Sequence, residues 1–467
     1  MYGLKNFAGR KATSLFLDFS MKKLQNNPQE VFISLLDFGQ RLNVFEPWKF
    51  EEAKKIVQNP DHKWTKMAMN LCKETDPHIL KQTLLNFGYQ AGLYGSKLQR
   101  KLREELGTNL PWTILFDPTS ACNLKCKGCW AAEYGHQLNL SFEEMDSIVT
   151  QGKEIGTYFY LLTGGEPLVR KDDIIKLCEK HNDCGFHVFT NGTLIDRDFC
   201  QEVKGVGNIS FALSLEGFEN ANDFRRGKGV FKKVVESMEL MRDEGLLFGN
   251  AICYTDKNFK DVTSDEFLDF IIEKGAKLAW YFHYMPVGKD AAPELLLTPD
   301  HREYMLRRVR EIRSADGGKP IMAIDFQNDG QFIKGCIAGG KDYLHINANG
   351  DVEPCVFIHY SSANIREVSL KEALAQPLFM AYKENQPFNE NHLRPCPMLE
   401  NPEVLRRLVQ ETGAKSTDLM EKESVEQLCG KCDCYAKEWA PRAEALWKEL
   451  QEKKKVKEKI PREKRAI

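Results

Sequence analysis

Three closely spaced cysteines are the residues of this sequence best suited to chemistry. Cys122, Cys126 and Cys129 are separated by three and then two residues, in a loop that follows the apolar stretch 112–116. Thiolates select soft metal centres, so the triplet predicts an iron–sulfur cluster, zinc or Cu(I). Four-thiolate zinc sites use paired cysteines two residues apart, which this triplet does not provide. A cubane cluster has four irons, so three cysteines would leave one iron open to another ligand.

Polar residues and glycines follow the next three predicted strands. Thr163-Gly-Gly-Glu-Pro167 comes directly after the strand 158–163, and its glycines allow the backbone to approach a ligand closely. The Glu166 carboxylate can accept a hydrogen bond from an amine. Thr190 and Asn191 close the third strand, and Ser214 and Glu216 close the fourth. Parallel barrels place their chemistry at the carboxyl ends of the strands, where all these residues fall.

Strands and helices alternate along the middle of the chain. The predicted strands are 112–117, 158–163, 186–190, 208–215, 247–254 and 277–284, and the predicted helices are 141–155, 171–183, 196–203, 229–245 and 262–274. Ser141-Phe-Glu-Glu144 is a capping box that begins the first of these helices. Six such alternations predict an α/β domain with a parallel sheet and outer helices.

Residues 1–110 are predicted to be helical. Apolar residues recur every three or four positions in 12–24, 28–42, 50–58, 62–74 and 79–105. One interpretation is a bundle that covers one end of the barrel. The alternative is an amphipathic surface for peripheral contact with a membrane or a partner, because Leu15, Phe16 and Phe19 lie beside Lys22 and Lys23.

A second group of cysteines lies in the last third of the chain. Its members are Cys336, Cys355, Cys396, Cys429, Cys432 and Cys434. The stretch between the first two is predicted to be a β-hairpin that turns at Asn349-Gly350. Six cysteines can fill one four-thiolate cluster with two left over, or two clusters if one takes another ligand. A structural zinc ion is the alternative.

Taken together, these motifs resemble the radical S-adenosylmethionine (SAM) superfamily. The resemblance implies a partial (βα)6 TIM-like barrel in which the triplet holds a [4Fe–4S] cluster whose open iron binds SAM. It implies that one electron from the cluster cleaves SAM to a 5′-deoxyadenosyl radical. It also implies SAM contacts from the Gly-Gly-Glu-Pro turn and from strand ends, which assigns the following residues to cofactor binding: Gly164, Gly165, Glu166, Pro167, Thr190, Asn191, Ser214, Glu216, Arg225, Met285 and Val287.

The second cysteine group resembles the start of a SPASM domain. Such an extension implies a cysteine-rich α+β region with one or two auxiliary [4Fe–4S] clusters on Cys336, Cys355, Cys396, Cys429, Cys432 and Cys434. The chain departs from the family pattern at three places. Gly128 stands where an aromatic residue usually precedes the third cysteine, Glu216 replaces the usual aspartate, and the last three cysteines are more tightly spaced. Trp130 and His136 are therefore alternative candidates for contact with adenine.

The predicted organisation has four parts: 1–110, a helical domain; 111–315, the barrel; 316–440, the SPASM-like domain; and 441–467, a helix and basic tail. No apolar run approaches the roughly 18 residues of a membrane span, and we see no secretory signal, so we expect a cytoplasmic protein. The net charge of −2 gives no reason to expect a nucleic-acid partner. Five further cysteines are predicted to be small buried apolar residues: Cys72, Cys178, Cys184, Cys200 and Cys253.

The resemblance implies an enzyme that abstracts hydrogen from an unactivated carbon. A peptide or protein is the first substrate class that we expect, and a lipid or other membrane-derived molecule is the second. A one-electron donor such as flavodoxin or ferredoxin would reduce the cluster. The alternative from another class is a non-catalytic iron–sulfur electron carrier. No residue outside the SAM site is assigned a catalytic role.

Overall fold

The N-terminal part of the protein is helical, as predicted. The structure is a computed structural model that describes residues 2–24, 26–42, 46–288, 290–315 and 318–459. The helices are α1 (Tyr2–Leu24), α2 (Pro28–Arg41), α3 (Pro47–Gln58), α4 (Lys63–Glu74), α5 (Pro77–Thr83) and α6 (Ser96–Leu106). The predicted helix 79–105 is divided, because a π-helical segment, Leu84–Gly95, lies between α5 and α6. No helix of the described ranges combines the length and apolar character needed to cross a membrane.

A single curved sheet organises the middle of the chain. Its strands are β1 (Thr113–Thr119), β2 (Phe159–Gly164), β3 (Gly185–Thr190), β4 (Ile209–Ser214), β5 (Phe248–Tyr254), β6 (Leu278–His283), β7 (Met322–Asp325), β8 (Tyr343–Ile346) and β9 (Val352–Glu353). The strand order is β7-β6-β5-β4-β3-β2-β1-β8-β9, and every pair is parallel except β8 and β9. All six predicted strands are present within two residues of their expected ends.

Helices connect the parallel strands, as the alternating pattern predicts. They are α7 (Phe142–Glu154), α8 (Lys171–Lys180), α9 (Arg197–Val206), α10 (Glu219–Arg226), α11 (Val230–Asp243), α12 (Asp265–Glu273) and α13 (Pro299–Arg313). The predicted capping box is present, because Ser141 accepts from the Glu144 backbone and Glu144 accepts from the Ser141 backbone. The outer face of the sheet and these helices share one apolar core.

The sheet curls into an incomplete barrel. The rings of Phe189 on β3 and Trp280 on β6 lie 5.3 Å apart, although two strands separate them in the sheet. Phe326, directly after β7, lies 6.1 Å from Tyr343 on β8, so side chains bridge the two sides of the opening. This is the partial barrel that the resemblance implied.

The C-terminal region continues the barrel sheet, a feature that the sequence did not predict. Strands β8 and β9 form the expected hairpin, which turns at Gly350 with a φ of 85°. β8 also pairs in parallel with β1, so the sheet extends past the predicted boundary at residue 315. The remaining elements are α14 (Gly330–Ile333), β10 (Tyr360–Ser361), α15 (Leu370–Leu374), α16 (Pro377–Asn385), α17 (Pro402–Thr412), β11 (Lys415–Ser416), α18 (Val425–Gly430) and α19 (Asp433–Lys459).

The last helix begins among the cysteines of the second group. Helix α19 starts at Asp433, directly after Cys432, and runs on to Lys459. The predicted boundary at residue 441 therefore falls inside a helix rather than between two units. The last part of the predicted basic tail, 460–467, lies outside the described residues.

Candidate active site

A cavity of about 190 Å³ opens at the carboxyl ends of the barrel strands. It brings together the cysteine triplet, the Gly-Gly-Glu turn, the ends of β3 to β6 and two residues of the C-terminal region. The predicted site residues that line it are Cys122, Cys126, Cys129, Gly164, Gly165, Glu166, Thr190, Asn191, Ser214, Arg225 and Met285. Residues from six distant stretches of sequence therefore face one space.

The loop that carries the triplet is held to the strand before it. Thr119 at the end of β1 accepts a hydrogen bond from the Ala121 backbone at 3.0 Å, and the Leu124 backbone donates to the Cys122 sulfur at 3.4 Å. Burial raises the pKa of Cys122 to about 11 and also raises that of Cys129. Buried thiols of this kind ionise on binding a metal centre, which supplies the compensating positive charge.

The two glycines of the turn are required by the cysteine loop. A Cβ on Gly165 would overlap the carbonyl groups of Ser120 and Ala121, and Gly164 adopts a φ of 109°. Backbone hydrogen bonds join the same segments, because Gly165 donates to Thr119 at 3.0 Å. The sequence suggested glycine for close approach to a ligand, whereas here the close approach is between two backbone segments of the site.

Glu166 ties this turn to the end of β3. Its carboxylate accepts from the Thr190 hydroxyl at 2.6 Å, from the Asn191 backbone at 2.7 Å and from the Leu168 backbone at 3.0 Å. Burial raises the pKa of Glu166, while these hydrogen bonds favour its charged form. An ionised carboxylate has about four acceptor positions, so one remains for an amine in the cavity.

Glu216 is placed differently from the prediction. It does not line the cavity; it is fully buried and binds two arginines instead. Arg225 donates to its carboxylate at 2.9 Å, and Arg226 donates to the same oxygen at 2.6 Å. The two guanidinium groups then line the cavity, and one nitrogen of Arg226 lies 4.0 Å from the Cys126 sulfur. The arginines bind only Oε1, and Oε2 has no hydrogen-bond partner among the described residues. Contact between Glu216 and a SAM hydroxyl is not supported, because the side chain is fully buried and does not line the cavity.

Tyr284 fills the space beside the glycine that interrupts the triplet. Gly128 adopts a φ of 64°, and a Cβ at this position would overlap the Tyr284 ring and hydroxyl. The aromatic group that the family usually carries before the third cysteine is therefore supplied here from the end of β6. Trp130 also lines the cavity, and its ring lies 6.2 Å from Phe357 of the C-terminal region.

Two further predicted residues lie outside the cavity, and several lining residues were not predicted. Pro167 and Val287 are buried but do not line it. The sequence missed Arg226, Cys253, Phe282 and His283, which do. Cys253 was predicted to be a small buried apolar residue. Its position two residues after Ala251 on β5 puts both side chains on the inner face of the barrel, and this alternation was the available signal.

The second cysteine group is only partly assembled. Cys336, Cys355, Cys396, Cys429 and Cys432 belong to one apolar core or pack against it. The Tyr343 hydroxyl donates to the Cys355 sulfur at 2.6 Å. Cys434 stands apart from the other five, because it is exposed and donates to Glu438 at 3.3 Å. Its place as the second residue of α19 turns it toward solvent.

Burial raises the pKa values of these five thiols, as it does for two cysteines of the triplet. Burial raises the pKa of Cys336 to about 11 and those of Cys355 and Cys429 to about 12. Within the described ranges, no three His, Cys, Asp or Glu side chains gather closely enough to hold one metal ion.

A buried group of charged residues joins β1 to the C-terminal hairpin. His345 on β8 lies 3.0 Å from the Asp117 carboxylate on one side and 2.6 Å from the Glu353 carboxylate on the other. Burial alone opposes the charged imidazole, but the two carboxylates raise the pKa of His345 to about 10. Tyr134, from the segment after the triplet, donates to Glu353 at 2.7 Å. The cysteine loop is therefore anchored to the C-terminal region.

Comparisons with known proteins agree with this arrangement. Residues 116–270 match the family model of the radical SAM superfamily, and residues 336–398 match that of SPASM, an iron–sulfur cluster-binding domain. Residues 116–270 therefore carry the domain of radical SAM enzymes. The chain carries a SPASM domain as its C-terminal extension, and the two domains imply a [4Fe–4S] cluster with SAM and auxiliary iron–sulfur clusters.

Individual relatives cover most of the chain at low identity. An AdoMet-dependent heme synthase of Methanosarcina barkeri is 24% identical over 73% of this chain and 96% of its own length. The sporulation killing factor maturation protein SkfB of Bacillus subtilis is 24% identical over 57% of this chain and 65% of its own. The crystal structure of Streptococcus suis SuiB bound to S-adenosylmethionine has a TM-score of 0.55 at 17% identity, covering 90% of this chain and 93% of that one. This last likeness concerns the fold.

The buried His345 predicts a pH dependence of stability. Its pKa is about 10 in the folded protein and about 6.5 when unfolded, so its stabilising charge is fully present below pH 6.5 and is lost as the pH rises through 10. We expect this residue to contribute a fall of about 1 kcal/mol per pH unit between pH 7 and 10. Urea unfolding of iron-free, reduced protein at several pH values, compared with His345→Gln, measures it. Equal slopes for both proteins would contradict the assignment.

The Glu216 ion pairs predict a large effect of a small substitution. Glu216→Gln leaves two buried guanidinium groups without their counter-charge, so we expect the free energy of unfolding to fall by about 3 kcal/mol. The matched control is Glu236→Gln, because Glu236 is exposed and lies 3.9 Å from Lys232. That control is expected to change stability by less than about 0.5 kcal/mol. Similar losses in the two variants would show that the arginines do not depend on Glu216.

Proposed function

We propose that this protein cleaves SAM reductively and uses the 5′-deoxyadenosyl radical to abstract hydrogen from an unactivated carbon of a peptide or protein. The observation that supports the proposal is the single cavity lined by the cysteine triplet, the Gly-Gly-Glu turn, two arginines and residues of the SPASM domain. A non-catalytic electron carrier would have no use for a pocket of this composition beside the cluster.

The cysteines divide into two sets of ligands. Cys122, Cys126 and Cys129 would hold the [4Fe–4S] cluster, which supplies one electron to SAM and an open iron for its amino and carboxylate groups. In the SPASM domain, Cys336, Cys355 and Cys396 with Cys429 or Cys432 would hold one auxiliary cluster. The exposed position of Cys434 favours one auxiliary cluster over two.

The protein's own residues bind and orient the reactants. Glu166 offers its remaining acceptor position to the amino group of SAM, and Arg225 offers a cationic group to its carboxylate. The walls of the cavity are apolar, with Leu115, Phe189 and Ala251 from the barrel and Val356 and Phe357 from the SPASM domain. Such walls exclude water from a reactive radical and hold the target carbon in place.

The names of two relatives bear on the substrate class. The name of SkfB concerns maturation of a killing factor, which supports a peptide, whereas the name of the other relative concerns heme synthesis. A flavodoxin or ferredoxin would supply the electron. A cytoplasmic location would give the protein access to such a donor and to its substrate. We favour a peptide or protein substrate because residues of the SPASM domain form one wall of the cavity.

Iron counting and SAM cleavage test the two cysteine sets together. We expect the anaerobically reconstituted protein to bind about eight irons and to release 5′-deoxyadenosine with dithionite. Replacing the triplet by alanine should remove about four irons and all cleavage. Replacing Cys336, Cys355 and Cys396 should remove the other four and leave the SAM-binding cluster.

The control for that experiment is Cys434→Ala, which we expect to retain all the iron. A loss of iron in this variant would show that Cys434 is a cluster ligand. If the triplet variant still cleaves SAM, or if the wild-type protein contains zinc and no sulfide, the proposed function fails.

A lipid or other membrane-derived substrate is the second candidate. Helix α1 exposes Phe7, Leu15 and Phe19, of which 67%, 62% and 59% are accessible, and its last turn carries Lys22 and Lys23. Such a surface can bind an anionic membrane. This candidate predicts flotation with phosphatidylglycerol vesicles that is abolished in Leu15→Glu/Phe19→Glu, whereas the peptide proposal predicts that both proteins stay in the dense fraction.

A further inference from the structure

A chain of buried polar groups connects the second cysteine group to the SAM cavity. It begins at Cys396, whose backbone N–H donates to the Glu400 carboxylate at 2.7 Å. The other oxygen of that carboxylate forms an ion pair with Arg302 at 2.6 Å. Neither Glu400 nor Arg302 is exposed at all. Buried charges of this kind persist only where their partners hold them firmly.

The chain continues through Tyr435 to the wall of the SAM cavity. Arg302 donates to the Tyr435 hydroxyl oxygen at 2.9 Å, and that hydroxyl lies 3.1 Å from Nε2 of His283. His283 is a lining residue of the cavity, and its Nδ1 lies 2.6 Å from the Tyr284 carbonyl oxygen. Tyr435 itself belongs to the first turn of α19, directly after the last cysteines.

The direction of each hydrogen bond is fixed by chemistry. A carbonyl oxygen only accepts, so Nδ1 of His283 carries a proton and donates to Tyr284. Burial and the nearby Arg302 lower the pKa of His283 to about 3, so the ring is neutral and Nε2 is an acceptor. The Tyr435 hydroxyl therefore donates to His283 while it accepts from Arg302. One hydroxyl thus satisfies both neighbours, and among the described residues no other side chain forms hydrogen bonds with both Arg302 and His283.

The far end of the chain touches the cysteine triplet. Tyr284 packs against Gly128, between Cys126 and Cys129, where no side chain would fit. His283 and Tyr284 also precede Met285 at the end of β6, which lines the same cavity. The segment His283–Met285 therefore forms a cavity wall that is connected by side-chain contacts to Cys396 on one side and to Gly128 on the other.

We propose that Tyr435 and Arg302 are positioning residues that couple the auxiliary cysteine loop to SAM binding. In this coupling, the Cys396 loop in its cluster-binding form holds Glu400 and Arg302 in place. They hold Tyr435, which fixes His283 and the backbone of Tyr284 against the SAM cavity. The inference rests on the proposed function, because it assigns SAM to this cavity and a cluster to Cys396.

Binding of SAM without reductant tests the coupling, because no turnover is needed. We expect Tyr435→Phe to keep its iron and to raise the Kd for SAM about fivefold, as expected for one buried hydrogen bond in a network. Equilibrium dialysis on reconstituted protein gives the Kd, and electron paramagnetic resonance of the reduced SAM cluster gives a second readout. The SAM-induced change in that spectrum should need correspondingly more SAM.

The matched control is Tyr360→Phe. The Tyr360 hydroxyl donates to the Glu423 carbonyl at 2.6 Å in the same domain, and Tyr360 does not line the SAM cavity. Its Kd for SAM should stay within about twofold of wild type. If Tyr435→Phe fails to retain iron, Glu400→Gln replaces it, since the amide still accepts from Cys396 but loses the ion pair with Arg302.

A double-variant cycle separates coupling from local damage. Cys396→Ala should weaken SAM binding by a similar factor, and adding Tyr435→Phe should weaken it no further. Factors that multiply, or a Kd for Tyr435→Phe equal to that of wild type, would overturn the coupling. If the wild-type protein binds no SAM, the proposed function itself has failed.

Discussion

The parallel pairing of β8 with β1 is the constraint on which the rest of the structure depends. β1 ends in the loop of the cysteine triplet, and β8 opens the hairpin that leads to Cys355. Their pairing fixes the SPASM domain over the SAM cavity instead of leaving it on a linker. The buried His345, held between Asp117 on β1 and Glu353 on β9, sits across this junction. Separating the strands would remove the carboxylates that stabilise the buried His345, so the junction is held in one register.

This constraint explains why the cavity has an apolar roof. Val356 and Phe357 follow Cys355 directly, and they complete walls that the incomplete barrel cannot supply by itself. A closed barrel fills its interior with side chains and binds its ligands in the loops above the strands, whereas this incomplete barrel leaves a side of the site for another domain to cover. The gap in the barrel and the added strand are thus two parts of one arrangement, in which a second domain covers the opening and excludes water.

Local patterns in the sequence were sufficient for the barrel and for the triplet, because each strand carries a continuous apolar run and each motif lies within a few residues. Local patterns did not predict features that depend on a contact between residues far apart in the sequence. Strand β8 is only four residues long, and nothing in Tyr343–Ile346 reveals β1 as its partner. The role of Glu216 depends on Arg225 and Arg226, which lie nine and ten residues further along the chain. Cys434 has a plausible ligand spacing, and only the start of α19 shows that it faces solvent.

The charges of Glu216 and its two arginine partners explain why this residue suits the site. Two guanidinium groups and one carboxylate leave one net positive charge, buried beside Cys126. Three thiolates on an oxidised cubane core carry one net negative charge, which is the complement of that excess. Without the cluster, burial raises the pKa of Cys122 and Cys129 and so favours their neutral thiols, which do not compensate the positive charge. The longer glutamate side chain reaches both arginines with one oxygen. A single carboxylate therefore holds both guanidinium groups in place while one net positive charge remains. The arginines therefore favour the cluster-bound state of the loop over the empty one.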